Sequence, residues 1–167
     1  MDFHNAEELI ELCNKNGKSI ADIMREREIT ETEATSEEIE TRMIHSLEIM
    51  RESVHKPLRT VKKSVGGLIG GEASKLNEHS ESGKSICGNV LSKVLMYSQA
   101  VPEVNASMGV IVAAPTAGSA GVIPGVLLAL ADEHHIGDQR LLSGLLNASA
   151  IGYLLMRNSS VSGAEAG

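Results

Sequence analysis

With 167 residues the chain has room for one ordinary domain, or one domain and a short helical extension, and can bury a core without disulfide staples. Its formal net charge of -7, from 15 Lys+Arg against 22 Asp+Glu, opposes a phosphate backbone and argues against nucleic acid as a partner. Hydrophobic residues at 42 % exclude a mostly disordered chain, and aromatics at 2 % argue against base stacking and an aromatic-rich interface.

Residues 1–63 are charged and helix-prone and read as an N-terminal helical segment. Asn5 is placed to cap a first helix that carries Leu9, Ile10, Leu12 and Cys13 and stops near Asn16-Gly17. Ser19 is placed to cap a second helix with Ile20, Ile23 and Met24. Thr35 and Glu38 have capping-box spacing, and behind them Ile39, Met43, Leu47 and Met50 recur at helical intervals. This third helix is expected to end as Pro57 approaches.

From Ser64 the composition changes, and residues 64–167 read as a second region rich in glycine and small side chains. A glycine-rich loop, Val65 to Gly71, precedes a helix from Glu72 to His79. Gly88 to Ala100 reads as a helix, and Pro102 fits the first turn of another that ends around Gly109. Ala113 to Gly121 is a second small-residue loop, followed by a helix from Val122 to about Glu133 with Pro124 in its first turn. Asp138 is placed to cap a last, leucine-rich helix, and Asn158 to Ala164 form a third small polar loop. Apart from the ambiguous run Val110-Ile111-Val112, no strand alternation is sustained, so the expected fold is all-α, a helical assembly with glycine-rich loops. The apolar stretch from Val110 to Ala131 is broken by Pro115 and Pro124, which argues against a membrane span of ~20 residues. The acidic N-terminus lacks the apolar core of a signal peptide, and a cytoplasmic location is expected.

Most isolated motifs are weak. Gly83-Lys84-Ser85 resembles the end of a P-loop, but Glu78 stands where the first glycine belongs. His134-His135 point in different directions on a helix, and His45 is open between a helix histidine and a base. Two cysteines, Cys13 and Cys87, make neither a disulfide framework nor a metal site. The three small-residue loops say more: Gly, Ser and Thr before helix N-termini let backbone N–H groups reach a carboxylate or phosphate. The same residues also permit tight helix packing, and both readings stay open here.

Asn105-Ala106, Met108-Gly109 and Ala114-Pro115-Thr116-Ala117-Gly118-Ser119-Ala120-Gly121-Val122-Ile123-Pro124-Gly125 resemble the signature of the α chain of bacterial iron–sulfur L-serine dehydratases. Gly70-Gly71-Glu72-Ala73-Ser74-Lys75-Leu76, Ser82-Gly83-Lys84-Ser85 and Asn158-Ser159-Ser160-Val161-Ser162-Gly163-Ala164 extend the resemblance over essentially the whole chain. The resemblance implies conversion of L-serine to pyruvate and ammonia by β-elimination, without pyridoxal phosphate. A [4Fe-4S] cluster held by three cysteines would act as Lewis acid on the leaving hydroxyl. It also implies a β chain or domain as partner, an oligomer, and a family chain that continues past this one to the cluster cysteines. Cys13 and Cys87 match none of those ligand positions. The implied substrate contacts are Gly70, Gly71, Lys75, Thr116, Ala117, Gly118, Ser119, Ala120, Gly121, Asn158, Ser162 and Gly163, with the catalytic base unassigned. The rival readings are a related iron–sulfur cysteine desulfidase and a non-catalytic binding module.

Overall fold

The computed structural model describes residues 2–114 and 117–159, which form seven helices and no strand among the described residues. The helices are α1 (Ala6–Asn16), α2 (Ile20–Thr32), α3 (Ser36–Arg59), α4 (Glu72–Glu81), α5 (Gly88–Ala106), α6 (Ala117–His134) and α7 (Asp138–Asn158). They divide into two compact units, residues 1–45 with 138–167 and residues 46–137, so α3 runs from one into the other. The composition change at residues 63 and 64 falls inside the second unit.

In the first unit the local signals decide the helix ends. The Asn5 side chain accepts from Glu8 N at 2.9 Å, and Gly17 closes α1 in the left-handed conformation. Ser19 and Asp22 form a capping box at α2, and Thr35 and Glu38 form another ahead of α3. The core gathers Phe3, Leu9, Ile23, Met24, Leu146 and Ala150. Phe3 meets the Tyr153 ring edge-on at 5.4 Å, and the Arg27 guanidinium lies 3.9 Å over the same ring.

In the second unit, α4 packs on α5 and α5 lies antiparallel against α6. Three expectations from proline fail here. Pro57 lies inside α3, Pro102 inside α5 and Pro124 inside α6, where helix ends or first turns were expected. One helix therefore replaces the two expected between Gly88 and Gly109, and α6 begins at Ala117 instead of Val122. The α5–α6 contact accounts for Pro102. An interior proline frees the carbonyl four residues back, here Ser98. Gly121 of α6 backs onto that carbonyl: a Cβ at Gly121 would stand 2.5 Å from Ser98 O and 3.2 Å from Pro102 Cδ. One turn on, a Cβ at Gly125 would stand 2.8 Å from Ser98 N, and the buried Ser98 Oγ finds no partner among the described residues. The small residues on α6 thus let two backbones touch. Farther along the same seam, Tyr97 donates to Asp132 Oδ2 at 2.6 Å and Lys93 pairs with Glu133 at 2.7 Å. Burial and the Asp132 carboxylate push the Tyr97 phenol well above its ordinary pKa. No helix among the described residues is long and apolar enough to cross a membrane.

Candidate functional site

The turn before α4 shows how the first glycine loop is built. Ser64 N donates to Ile69 O at 2.7 Å and Ile69 N to Ser64 Oγ at 3.1 Å, closing a short loop. The chain then passes Gly70 at φ 134° and Gly71 at φ 102°, a region that L side chains rarely enter. A Cβ at Gly70 would also stand 2.5 Å from Lys62 O, so the position is closed to larger residues twice over.

The N–H groups of this turn are already occupied. Glu103, only 3 % exposed, reaches over from α5 and accepts from Gly71 N at 2.8 Å and Ala73 N at 2.6 Å. Glu72 accepts from Gly70 N at 2.7 Å, and hydrogen bonds from its own N–H and from Gly70 N hold its carboxyl below the ordinary range. The helix end expected to cradle an anion therefore carries one supplied by the protein. Lys75 projects one turn farther along α4 and is exposed. Glu103 was absent from the sequence-derived candidates. Its signal is its position: it follows Met96 and Ala100 at helical spacing, on the buried face of a helix otherwise charged only at Lys93.

The second candidate group sits differently from its expected loop. Ala117, Gly118, Ser119, Ala120 and Gly121 are the first residues of α6. Gly118 is exposed, Ser119 half-buried and Ala120 buried, while Gly121 is turned to α5. The first turn of a helix keeps its N–H groups outside the intrahelical ladder and carries the positive dipole end, so an anion is favoured at this place. Thr116 lies outside the described residues. Upstream, α5 ends at Ala106, and Met108 two residues on sits at φ 62° with 81 % exposure, a conformation that strains a non-glycine residue.

The third group belongs to the first unit. Asn158 is the last residue of α7, and its Nδ2 donates to Leu154 O at 2.8 Å and His4 O at 3.3 Å. Its amide is thus engaged with backbone carbonyls. Ser162 and Gly163 lie outside the described residues. His45 lies in α3, Gly83 follows the C-terminus of α4, and His134 is the last residue of α6.

A [4Fe-4S] cluster asks for three or four cysteine thiolates in one pocket. The chain has two cysteines, Cys13 half-buried on α1 and Cys87 exposed before α5. No group of three or more His, Cys, Asp and Glu suited to a metal ion occurs among the described residues. The residues present do not fit the cluster.

The Serine dehydratase alpha chain family model matches residues 15–167. A Bacillus subtilis (strain 168) protein named "Probable L-serine dehydratase, alpha chain" is 40 % identical over 165 residues, covering 99 % of this chain and 55 % of the relative. The "L-serine dehydratase, alpha chain" of Peptoniphilus asaccharolyticus is 36 % identical over 165 residues, covering 99 % of this chain and 56 % of the relative. The "L-serine dehydratase" of Helicobacter pylori (strain ATCC 700392 / 26695) is 38 % identical over 175 residues, covering 99 % of this chain and 37 % of the relative. The chain thus spans about half the length of its α-chain relatives, and with the family matched across nearly all of its residues it belongs to the serine dehydratase alpha chain family.

Proposed function

We propose that this chain supplies substrate-binding elements of an L-serine dehydratase, which converts L-serine to pyruvate and ammonia by β-elimination. The observation that carries the reading is the 40 % identity to an α-chain relative over 99 % of this chain. The beginning of α6 takes the substrate carboxylate, with the N–H groups of Ala117–Ala120 and the hydroxyls of Thr116 and Ser119 around it. The exposed Gly118 leaves clearance for the ligand. Lys75 gives a positive charge from α4. Gly70 and Gly71 act indirectly, since their amides are held by Glu72 and Glu103; they shape the turn that positions Lys75. The [4Fe-4S] cluster of this reading takes its thiolates from outside this chain's residues, and a β chain or domain completes the assembly in the cytoplasm.

The test is pyruvate formation from L-serine by the assembled dehydratase built on this sequence. Gly118→Val fills the clearance and is expected to lower kcat/KM at least ~tenfold. Wild-type turnover by both Gly118→Val and Thr116→Val would overturn the assignment of this helix end.

A further inference from the structure

The second unit holds a cleft that the dehydratase reading does not use. It has a volume of about 300 Å³ and lies between the last turns of α3, the link that follows, and the end of α5. Pro57, Val104 and Val110 give it an apolar wall, and Ser53, Thr60 and Ser107 add hydroxyls. Of the two lysines in the lining, Lys56 pairs with Glu52, and Lys62 stands apart. Lys62 Nζ donates to Ser107 O at 2.9 Å, a neutral acceptor, and has no carboxylate within ion-pair distance among the described residues. The acids of the lining are committed elsewhere: Glu103 to Gly71 N and Ala73 N, and Glu52 to Lys56 at 3.0 Å. An ammonium has three donors, so Lys62 retains capacity beyond the single carbonyl.

The size of the space bears on the ligand. A cleft of this volume is at the lower end of small-molecule sites, and a three-carbon amino acid would leave much of it to water. An aliphatic body of roughly four to eight carbons would cover the apolar wall. The chain's net charge of -7 opposes anions in general, so retention here depends on the local ammonium. We propose that this cleft binds a medium-sized aliphatic monocarboxylate, its carboxylate on Lys62 and its tail against Pro57, Val104 and Val110, separately from the serine site.

The test is an amide NMR titration of the chain with 4-methylpentanoate, L-leucine and L-serine. The simple acid is expected to shift the amides of Ser53, Ser107 and Val110 saturably, with a Kd of about 1 mM. Lys62→Met should weaken this binding at least ~tenfold, while removal of the adjacent charge in Lys63→Met, which does not line the cleft, should leave it within about twofold. L-Leucine should bind more weakly, because its ammonium meets no uncommitted acid. Absence of saturable shifts, undiminished binding by Lys62→Met, L-leucine binding as tightly as the simple acid, or tighter binding of L-serine would each overturn the proposal. A failed dehydratase assay does not bear on this titration, so the two readings stand or fall separately.

Discussion

The N-terminal ends of α4 and α6 look alike in sequence, each a run of small residues leading into a helix, yet their surroundings differ. At α4 the amides of Gly71 and Ala73 belong to Glu103, a carboxylate about thirty residues away in sequence. At α6 the glycines farther in, Gly121 and Gly125, belong to the packing seam with α5, while Gly118 in the first turn stays exposed. The residues specify that a backbone can be approached closely; what approaches it is settled by distant parts of the chain.

The largest effect that would sharpen this contrast is expected at Gly125. A Cβ there meets Ser98 backbone on α5, so Gly125→Val should cost about 3 kcal/mol or more, read from urea unfolding. Gly118→Val, near the exposed end of the same helix, should stay within ~0.5 kcal/mol of wild type in that assay. Equal losses at the two positions would erase the division of α6 into a packing part and an open part.

Next comes the α4 cap. Glu103→Ala leaves two buried N–H groups without an acceptor and should cost about 2–3 kcal/mol, again by chemical denaturation. Formate should restore part of this loss and chloride at equal ionic strength much less, because a planar carboxylate can bridge both amides. Full stability of Glu103→Ala without added anion would show that the cap is dispensable. In the assembled dehydratase, Thr116→Val should lose ~1–3 kcal/mol of transition-state stabilisation, measured through kcat/KM, with the fold unchanged.

The smallest effect is a pH dependence along the α5–α6 seam. Burial first, opposed by Asp132 and reinforced by Arg59 and Arg51, places the His55 pKa below its ordinary value. Below the folded value both states are protonated, and the folded state bears the cost of a half-buried cation. Stability should therefore rise as pH increases through the window between that lowered value and about 6.5, then level off. The edge-on contact of His55 with Tyr97 at 5.1 Å puts the charge beside this seam. Replacement His55→Leu should flatten the slope of unfolding free energy against pH; an unchanged slope would assign it to other groups.

The amino-acid sequence by itself determined the all-helical class, the capped starts of α1 and α2, and the start of α4, because caps, glycine stops and helical spacing act within one turn of the chain. It also carried the family resemblance through the run from Ala114 to Gly125. Tertiary structure decided the fate of the prolines. Pro102 reads locally as a helix start, yet α5 continues through it while Gly121 brings α6 against the freed Ser98 carbonyl. Tertiary structure also decided which helix end already holds a carboxylate, since Glu103 reaches Gly71 and Ala73 only after α4 and α5 have packed. Local signals set where helices form; the partner of each exposed N–H group and each ammonium, Lys62 included, depends on residues that only folding brings near.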